Sequence, residues 1–222
     1  ISEKDGLTGK EFYDLIEDNK GFIWLAADKG LFRYDGKEYK NFSHKLKRGL
    51  SVFNLQEDHL GRVWCNNTSG QFFYTQNNEL QLFTDLSKEL RGELASFILN
   101  DDYLWVFSLR KVYKVHLKSK QIIDYHKAPD KSFSPPYKLN ETIYYASNDS
   151  IYSTNLDNNL KPLLALNLPI YNTNNKKIAV ERSTLFKAGA SFYYRQRRAK
   201  NNIFLKFNLA EKRIKKIHSF NC

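Results

Sequence analysis

A chain of 222 residues that is 41% hydrophobic and 15% aromatic can build a packed core, which excludes a disordered tail, and its 14 Tyr and 16 Phe favour strands. Ten Gly and five Pro exclude collagen-like or low-complexity sequence, and no apolar run approaches the ~20 residues that a membrane helix needs. The net charge of +11 fits a lysine-rich surface, an anionic ligand, an anionic membrane or nucleic acid, but the late basic runs at 195–200 and 212–216 flank strand-like sequence and form no recognition helix, so nucleic acid is set aside.

In chain order, the first strand signals run over Phe12–Glu17, Phe22–Ala26, Leu31–Tyr34 and Glu38–Phe42. Turn formers separate them: Asp18-Asn19-Lys20-Gly21, Asp28-Lys29-Gly30 and Asp35-Gly36. The second unit repeats the first. Leu15 to Trp24 aligns with Leu55 to Trp64, each with Glu-Asp, a Gly three residues on and a Trp three further. Gly30 and Gly70 follow their Trp by six residues, Tyr34 and Tyr74 by ten. A third unit leads through Phe97-Ile98-Leu99 and a shortened turn to Trp105, 41 residues after Trp64. In the fourth, Tyr144 takes the place of the Trp and Ile151 follows by seven. The fifth carries Phe192-Tyr193-Tyr194 and Ile203-Phe204-Leu205 as two paired strands joined by a long basic hairpin.

Units of about 40 residues with four strands each predict an all-β chain, a β-propeller of four-stranded blades. The expected blades, within one domain over 1–222, are 11–43, 52–84, 94–125, 139–166 and 184–217. Phe22, Trp24 and Ala26 point to one face of the second strand and Ile23, Leu25 and Ala27 to the other. Both faces are apolar, so both must be covered, as stacked blades do. Trp24, Trp64, Trp105 and Tyr144 therefore read as core between blades. Asp18, Gly21, Gly30, Asp58, Gly61 and Gly70 read as turn residues.

Catalytic signals are absent. The five histidines, His44, His59, His116, His126 and His218, have no metal-ligand spacing, and there is neither a nucleophile elbow nor a phosphate-binding glycine loop. No cofactor or metal is expected. Cys65 reads as a small buried hydrophobe, and together with Cys222 it makes no disulfide framework.

The run Asp5-Gly6-Leu7, Phe12-Tyr13-Asp14-Leu15-Ile16-Glu17-Asp18, Gly21-Phe22-Ile23-Trp24-Leu25-Ala26, Gly30-Leu31-Phe32-Arg33-Tyr34-Asp35-Gly36 and Phe42 resembles the two-component regulator propeller repeat. The similarity extends over 52–84 and, in part, 94–125. Tyr144 for Trp and Ser150 for Gly depart from it. The resemblance implies the periplasmic, non-catalytic sensing domain of a histidine kinase or hybrid regulator, usually seven-bladed, with a downstream membrane helix and a cytoplasmic output. It implies a homodimer in the full-length sensor. The chain begins at Ile1 and has no Met, so it reads as a processed or trimmed product. In the family the segment ahead of Asp5-Gly6-Leu7 closes the ring, and Ile1-Ser2-Glu3-Lys4 is short for that strand. A fragment whose open ends associate is the expectation.

Ligand candidates are polar or basic residues near turns: Arg33, Arg62, Arg110, Asn66 and Asn67. A small molecule or oligosaccharide is expected, and an anionic one would suit the positive balance. A protein-interaction scaffold is the alternative, and a propeller hydrolase or lyase the third reading.

Overall fold

The computed structural model describes residues 7–100, 102–108, 111–127, 134, 136–139, 142–147, 150–155, 161–165, 180–188, 191–198, 201–208 and 213–221. Strands β1 (Phe12–Glu17), β2 (Ile23–Ala27), β3 (Gly30–Tyr34) and β4 (Tyr39–Phe42) form one sheet. A second comprises β5 (Phe53–Glu57), β6 (Val63–Asn66), β7 (Gln71–Gln76) and β8 (Glu79–Asp85), followed by the one-turn helix α1 (Ser87–Leu90). The third holds β9 (Ser96–Leu99), β10 (Tyr103–Phe107), β11 (Lys111–His116) and β12 (Ile122–Lys127). The fourth has β13 (Tyr137–Leu139), β14 (Thr142–Ser147), β15 (Ser150–Asn155) and β16 (Lys161–Ala165). The fifth has β17 (Val180–Ala188), β18 (Ser191–Arg198), β19 (Asn201–Asn208) and β20 (Arg213–Asn221). Each sheet meanders in chain order, the blade pattern of a β-propeller.

The chain divides into two compact units, residues 1–108 with 114–123, and residues 109–113 with 124–222. In the first, Trp24, Ala26, Leu31 and Phe42 pack against Val52, Leu55, Val63, Cys65, Phe73 and Leu80 of the next sheet. The reverse face of the first sheet buries Leu25, Ala27 and Phe32 with Leu7. This double burial is why β2 and β6 carry apolar residues without alternation. In the second unit, Ala146 and Ile151 pack with Leu185, Phe192, Tyr194, Ile203 and Leu205. Tyr144 borders that core, its ring 5.5 Å from Phe192.

Register corrects one part of the repeat. Trp24 pairs with Arg33, whereas Trp64 pairs with Tyr74. The link after β2 is two residues, with Ala27 opposite Gly30, while the link before β7 has three between Asn67 and Gln71. Tyr34 and Tyr74 thus share a spacing but not a position, and Tyr34 faces the other side of its sheet, opposite Ile23. Gly70 has φ +79°, and a Cβ there would lie 3.0 Å from the Ser87 backbone. The fifth sheet differs as well. Arg195, Arg197 and Arg198 belong to β18, paired with Phe204, Asn202 and Asn201, so the basic stretch is strand and not a long hairpin loop. Its two-residue alternation suits a sheet with one buried face.

Candidate functional site

The antiparallel order gives the strands of the first unit two rims. One carries the β1–β2 turns. Asp18 Oδ1 accepts the amides of Lys20 and Phe22 at 2.9 Å each, and Oδ2 accepts the Trp24 indole N–H at 2.7 Å. Asp58 repeats this with Leu60, Arg62 and, at 2.7 Å, the Trp64 indole. Gly21 and Gly61, with φ +81° and +72°, donate their amides to the Asp18 and Asp58 carbonyls. These turns thus serve the tryptophans.

Arg33 and Arg62 lie at this rim, half-buried against aromatic rings. The Arg33 guanidinium is 4.4 Å from the Phe22 ring and 5.7 Å from Trp24. Arg62 lies 4.9 Å from Tyr74 and 5.4 Å from Trp64, and its Nε donates to Asp58 Oδ2 at 2.7 Å. Burial alone would raise the Asp58 pKa, but the Trp64 indole and the Arg62 amide and guanidinium hold it below the usual range. Lys114 of the third sheet is also a cation against rings, buried, with its ammonium 4.2 Å from Tyr103 and 4.6 Å from Trp105.

Asn66 and Asn67 lie at the other rim, since β6 carries the chain about 13 Å from Arg62 at ~3.3 Å per residue. Asn66 Nδ2 donates to the Ala95 carbonyl at 2.8 Å, and its Oδ1 accepts Asn54 Nδ2 at 2.8 Å. Asn67 and Gln71 clamp the basic connection between β4 and β5. Asn67 Nδ2 reaches the Arg48 carbonyl at 2.8 Å, Gln71 Oε1 accepts the Arg48 amide at 2.8 Å, and Gln71 Nε2 donates to the Leu46 carbonyl at 2.9 Å. Arg48 pairs with Asp85 at 2.8 Å. Lys47 donates to the Leu50 carbonyl at 2.8 Å, and burial lowers its pKa. Arg33 and Arg62 are therefore not brought together with Asn66 and Asn67, and Arg110 lies outside the described residues.

The residues that do converge were not singled out from the sequence. At the second rim the Tyr13 and Phe53 rings stack at 4.5 Å, and Phe12 beside them is exposed. Tyr13 Oη donates to Glu11 Oε2 at 2.9 Å, and that bond to a carboxylate raises the Tyr13 pKa. Asp28 Oδ1 accepts the Lys10 and Glu11 amides at 3.0 and 3.4 Å. Burial opposes the ionised Asp28, yet these amides keep its pKa low. Ser51 Oγ donates to the Asp28 carbonyl at 3.1 Å. Tyr13 and Phe53 are 40 residues apart, a recurrence the sequence displays.

The result is an aromatic ledge edged by two carboxylates. Aromatic faces accept the C–H faces of a sugar ring, and carboxylates accept its hydroxyls. Among the described residues no three His, Cys, Asp or Glu side chains gather as metal ligands. His44 and His116 use Nδ1 to accept the amides of Leu46 and Ser119, which makes them turn caps. No helix among the described residues is long and apolar enough to cross a membrane.

No family model matches the sequence, and no curated protein matches it. Solved structures do. Over 97% of this chain, the extracellular domain of the B. thetaiotaomicron one-component system BT4673 is similar with TM-score 0.66 and 15% identity, covering 29% of that chain. The extracellular domain of the hybrid two-component system BT3049 from B. thetaiotaomicron gives 0.63 and 12%, over 97% of this chain and 31% of that one. Virginiamycin B lyase from Staphylococcus aureus gives 0.64 and 12%, over 93% and 69%. The chain spans less than a third of the two extracellular domains. At such identities the likeness establishes the architecture, and together with the meandering sheets it identifies this chain as β-propeller repeats.

Proposed function

We propose that the chain is a ligand-recognising, non-catalytic part of an extracytoplasmic propeller in a two-component sensor, and that its ligand is an oligosaccharide. The observation that carries the ligand class is the Tyr13–Phe53 stack with Glu11 and Asp28 at its edge. The likeness to extracellular domains of two-component systems supports the setting, as does the repeat resemblance of residues 5–43. The overall positive charge favours an anion, but two carboxylates at the ledge favour an uncharged, hydroxyl-rich ring there. In the full sensor, binding would favour one arrangement of a homodimer, with the signal passing through a membrane helix to a kinase.

The test is a thermal-shift screen of neutral and anionic oligosaccharides on the 222-residue chain. One neutral class should raise the melting temperature, and Tyr13→Ala or Phe53→Ala should abolish the shift. Silence across all glycans would overturn the carbohydrate reading in favour of a protein-interaction scaffold. A shift with anionic glycans that survives both variants would move the site elsewhere.

A further inference from the structure

Arg33 and Lys40 stand directly opposite each other on β3 and β4, so their side chains share one face of the first sheet. Both lie against the Phe42 ring, the Arg33 guanidinium 5.6 Å and the Lys40 ammonium 5.0 Å from its centre. Like charges in such a cross-strand pair repel. The repeat does not require them, because the second sheet holds Tyr74 and Gln81 at the same two positions. Arg62 has Asp58 as a partner and Arg48 has Asp85, but among the described residues no carboxylate pairs with Arg33. Its Nε is buried without an acceptor. The Asp35 pKa is lowered chiefly by the amides of Glu38 and Lys37, which its Oδ1 accepts at 3.0 and 2.9 Å, with Arg33 adding a lesser share. From Lys40 a groove of about 490 Å³ runs between β4 and the start of β8, lined also by His44, Lys45, Asn78 and Glu79. His44 Nδ1 accepts the Leu46 amide at 3.1 Å, so the neutral imidazole carries its proton on Nε2 as a donor. Lys40 gives one N–H to the Asn78 carbonyl at 3.2 Å and keeps two. Glu79 is the single carboxylate of the lining, and Gln81 Nε2 donates to it at 3.3 Å.

We propose that Arg33 and Lys40 form an oxyanion site at the head of this groove, and that its ligand is the carboxylate or sulfate ester of an acidic saccharide. The guanidinium fork grips two oxygens side by side, and the Lys40 ammonium completes the neutralisation. The Phe22 and Trp24 rings, 4.4 and 5.7 Å from the guanidinium, fix it in place before any ligand arrives. A run of acidic side chains laid along the groove would meet Glu79. A sugar carrying one acidic group offers its hydroxyls there instead, and a carboxylate accepts them. The site rests on the carbohydrate reading only for the source of its anion. It stands on β3 and β4, whereas the aromatic ledge stands on β1 and β5.

The experiment follows the Arg33 Nε–H resonance of the 222-residue chain by heteronuclear NMR at constant ionic strength, the signal being identified by its loss in Arg33→Lys. The probes are tetragalacturonate, its neutral methyl ester, a sulfated tetrasaccharide, inorganic sulfate and an oligoglutamate peptide. At least one acidic saccharide should shift the resonance saturably, and the neutral ester should not. By calorimetry, Arg33→Gln and Lys40→Gln should each weaken that binding by about tenfold. Lys40→Gln keeps the Arg33 signal and alters only an exposed side chain, so it reads the site even if Arg33→Gln unsettles the sheet. Lys88→Gln, which removes an exposed charge on α1, should leave the affinity within about twofold. No saturable shift from either acidic saccharide would overturn the proposal, as would an equal loss in Lys88→Gln, the mark of diffuse charge. A shift with inorganic sulfate but with neither saccharide would mean an adventitious ion only. A shift with oligoglutamate but with neither saccharide would name an acidic protein segment, and both results count against it. Tyr13→Ala should leave the shift intact while removing any stabilisation by neutral sugars, so failure of the ledge and failure of the groove are read separately.

Discussion

Arg33 and Arg62 reach their tryptophans from different strands. Arg33 stands on β3, in register with Trp24, while Arg62 stands two residues before Trp64. Where the first sheet has Phe22 the second has Arg62, and where the first has Arg33 the second has Tyr74. Charge and ring have exchanged places around a fixed indole. The paired change Arg62→Phe with Tyr74→Arg should therefore recover part of what each single change loses, with a coupling of about 0.5–3 kcal/mol. A urea double-mutant cycle measures it; additive losses would show that the two positions act independently.

Asp58 joins this arrangement at the edge of the indole, where its Oδ2 accepts the Trp64 ring N–H. Its depressed pKa means that the folded state binds its proton less readily than the unfolded chain. Its contribution is present above the unfolded carboxylate range near about 4 and is lost as pH falls through the folded value. Asp85, whose pKa Arg48 and Ser87 hold low against the opposing effect of burial, adds in the same direction. The urea midpoint should be level from about pH 5 to 7 and fall below about pH 4. Asp58→Asn should lower the plateau by about 1–3 kcal/mol and shallow the acid slope.

Gln56 ties neighbouring sheets. Its Nε2 donates to the Phe97 carbonyl, and its Oε1 accepts the Leu99 amide at 3.1 Å. Gln56→Ala should cost about 1–3 kcal/mol because both backbone groups lose a partner in a part-buried place. Hydrogen exchange should quicken at Leu99 before it does at Trp64.

Cys65 should be silent to thiol reagents. It is fully buried, and burial pushes its thiol pKa up to about 12. At pH 8 only about one thiol in ten thousand is ionised, so labelling with Ellman's reagent should track global unfolding. Rapid modification of the native chain would show that the sheet pair opens locally.

The first two repeats were legible because each Trp, its Asp and its Gly are fixed by one local geometry, the indole bonded to the turn carboxylate. The extra residue before β7 was not, because Gly and Tyr recur at the same spacing while the hairpin lengths differ. Arg33 and Arg62 drew notice as cations near turns. What sequence does not display is that rings in their own sheets already face them. Tyr13 and Phe53 recur openly but read as ordinary strand aromatics. Their exposure depends on how β1 and β5 are laid side by side, which is tertiary information.

Three of the side chains that cross between sheets leave from the first strands. Asp14 Oδ2 accepts the Leu55 amide at 2.7 Å, Asn54 Nδ2 donates to the Ala95 carbonyl at 3.2 Å, and Gln56 spans to β9. From the fourth strand, the exposed Lys40 ammonium reaches the Asn78 carbonyl in the β7–β8 turn at 3.2 Å. Mechanically, the sheets of this unit are pages stitched by polar bonds along the spine and held by apolar packing towards the fore-edge. A molecule resting on Tyr13 and Phe53 would press on the stitching, where a small displacement at one sheet must be handed to the next instead of dying out as local breathing.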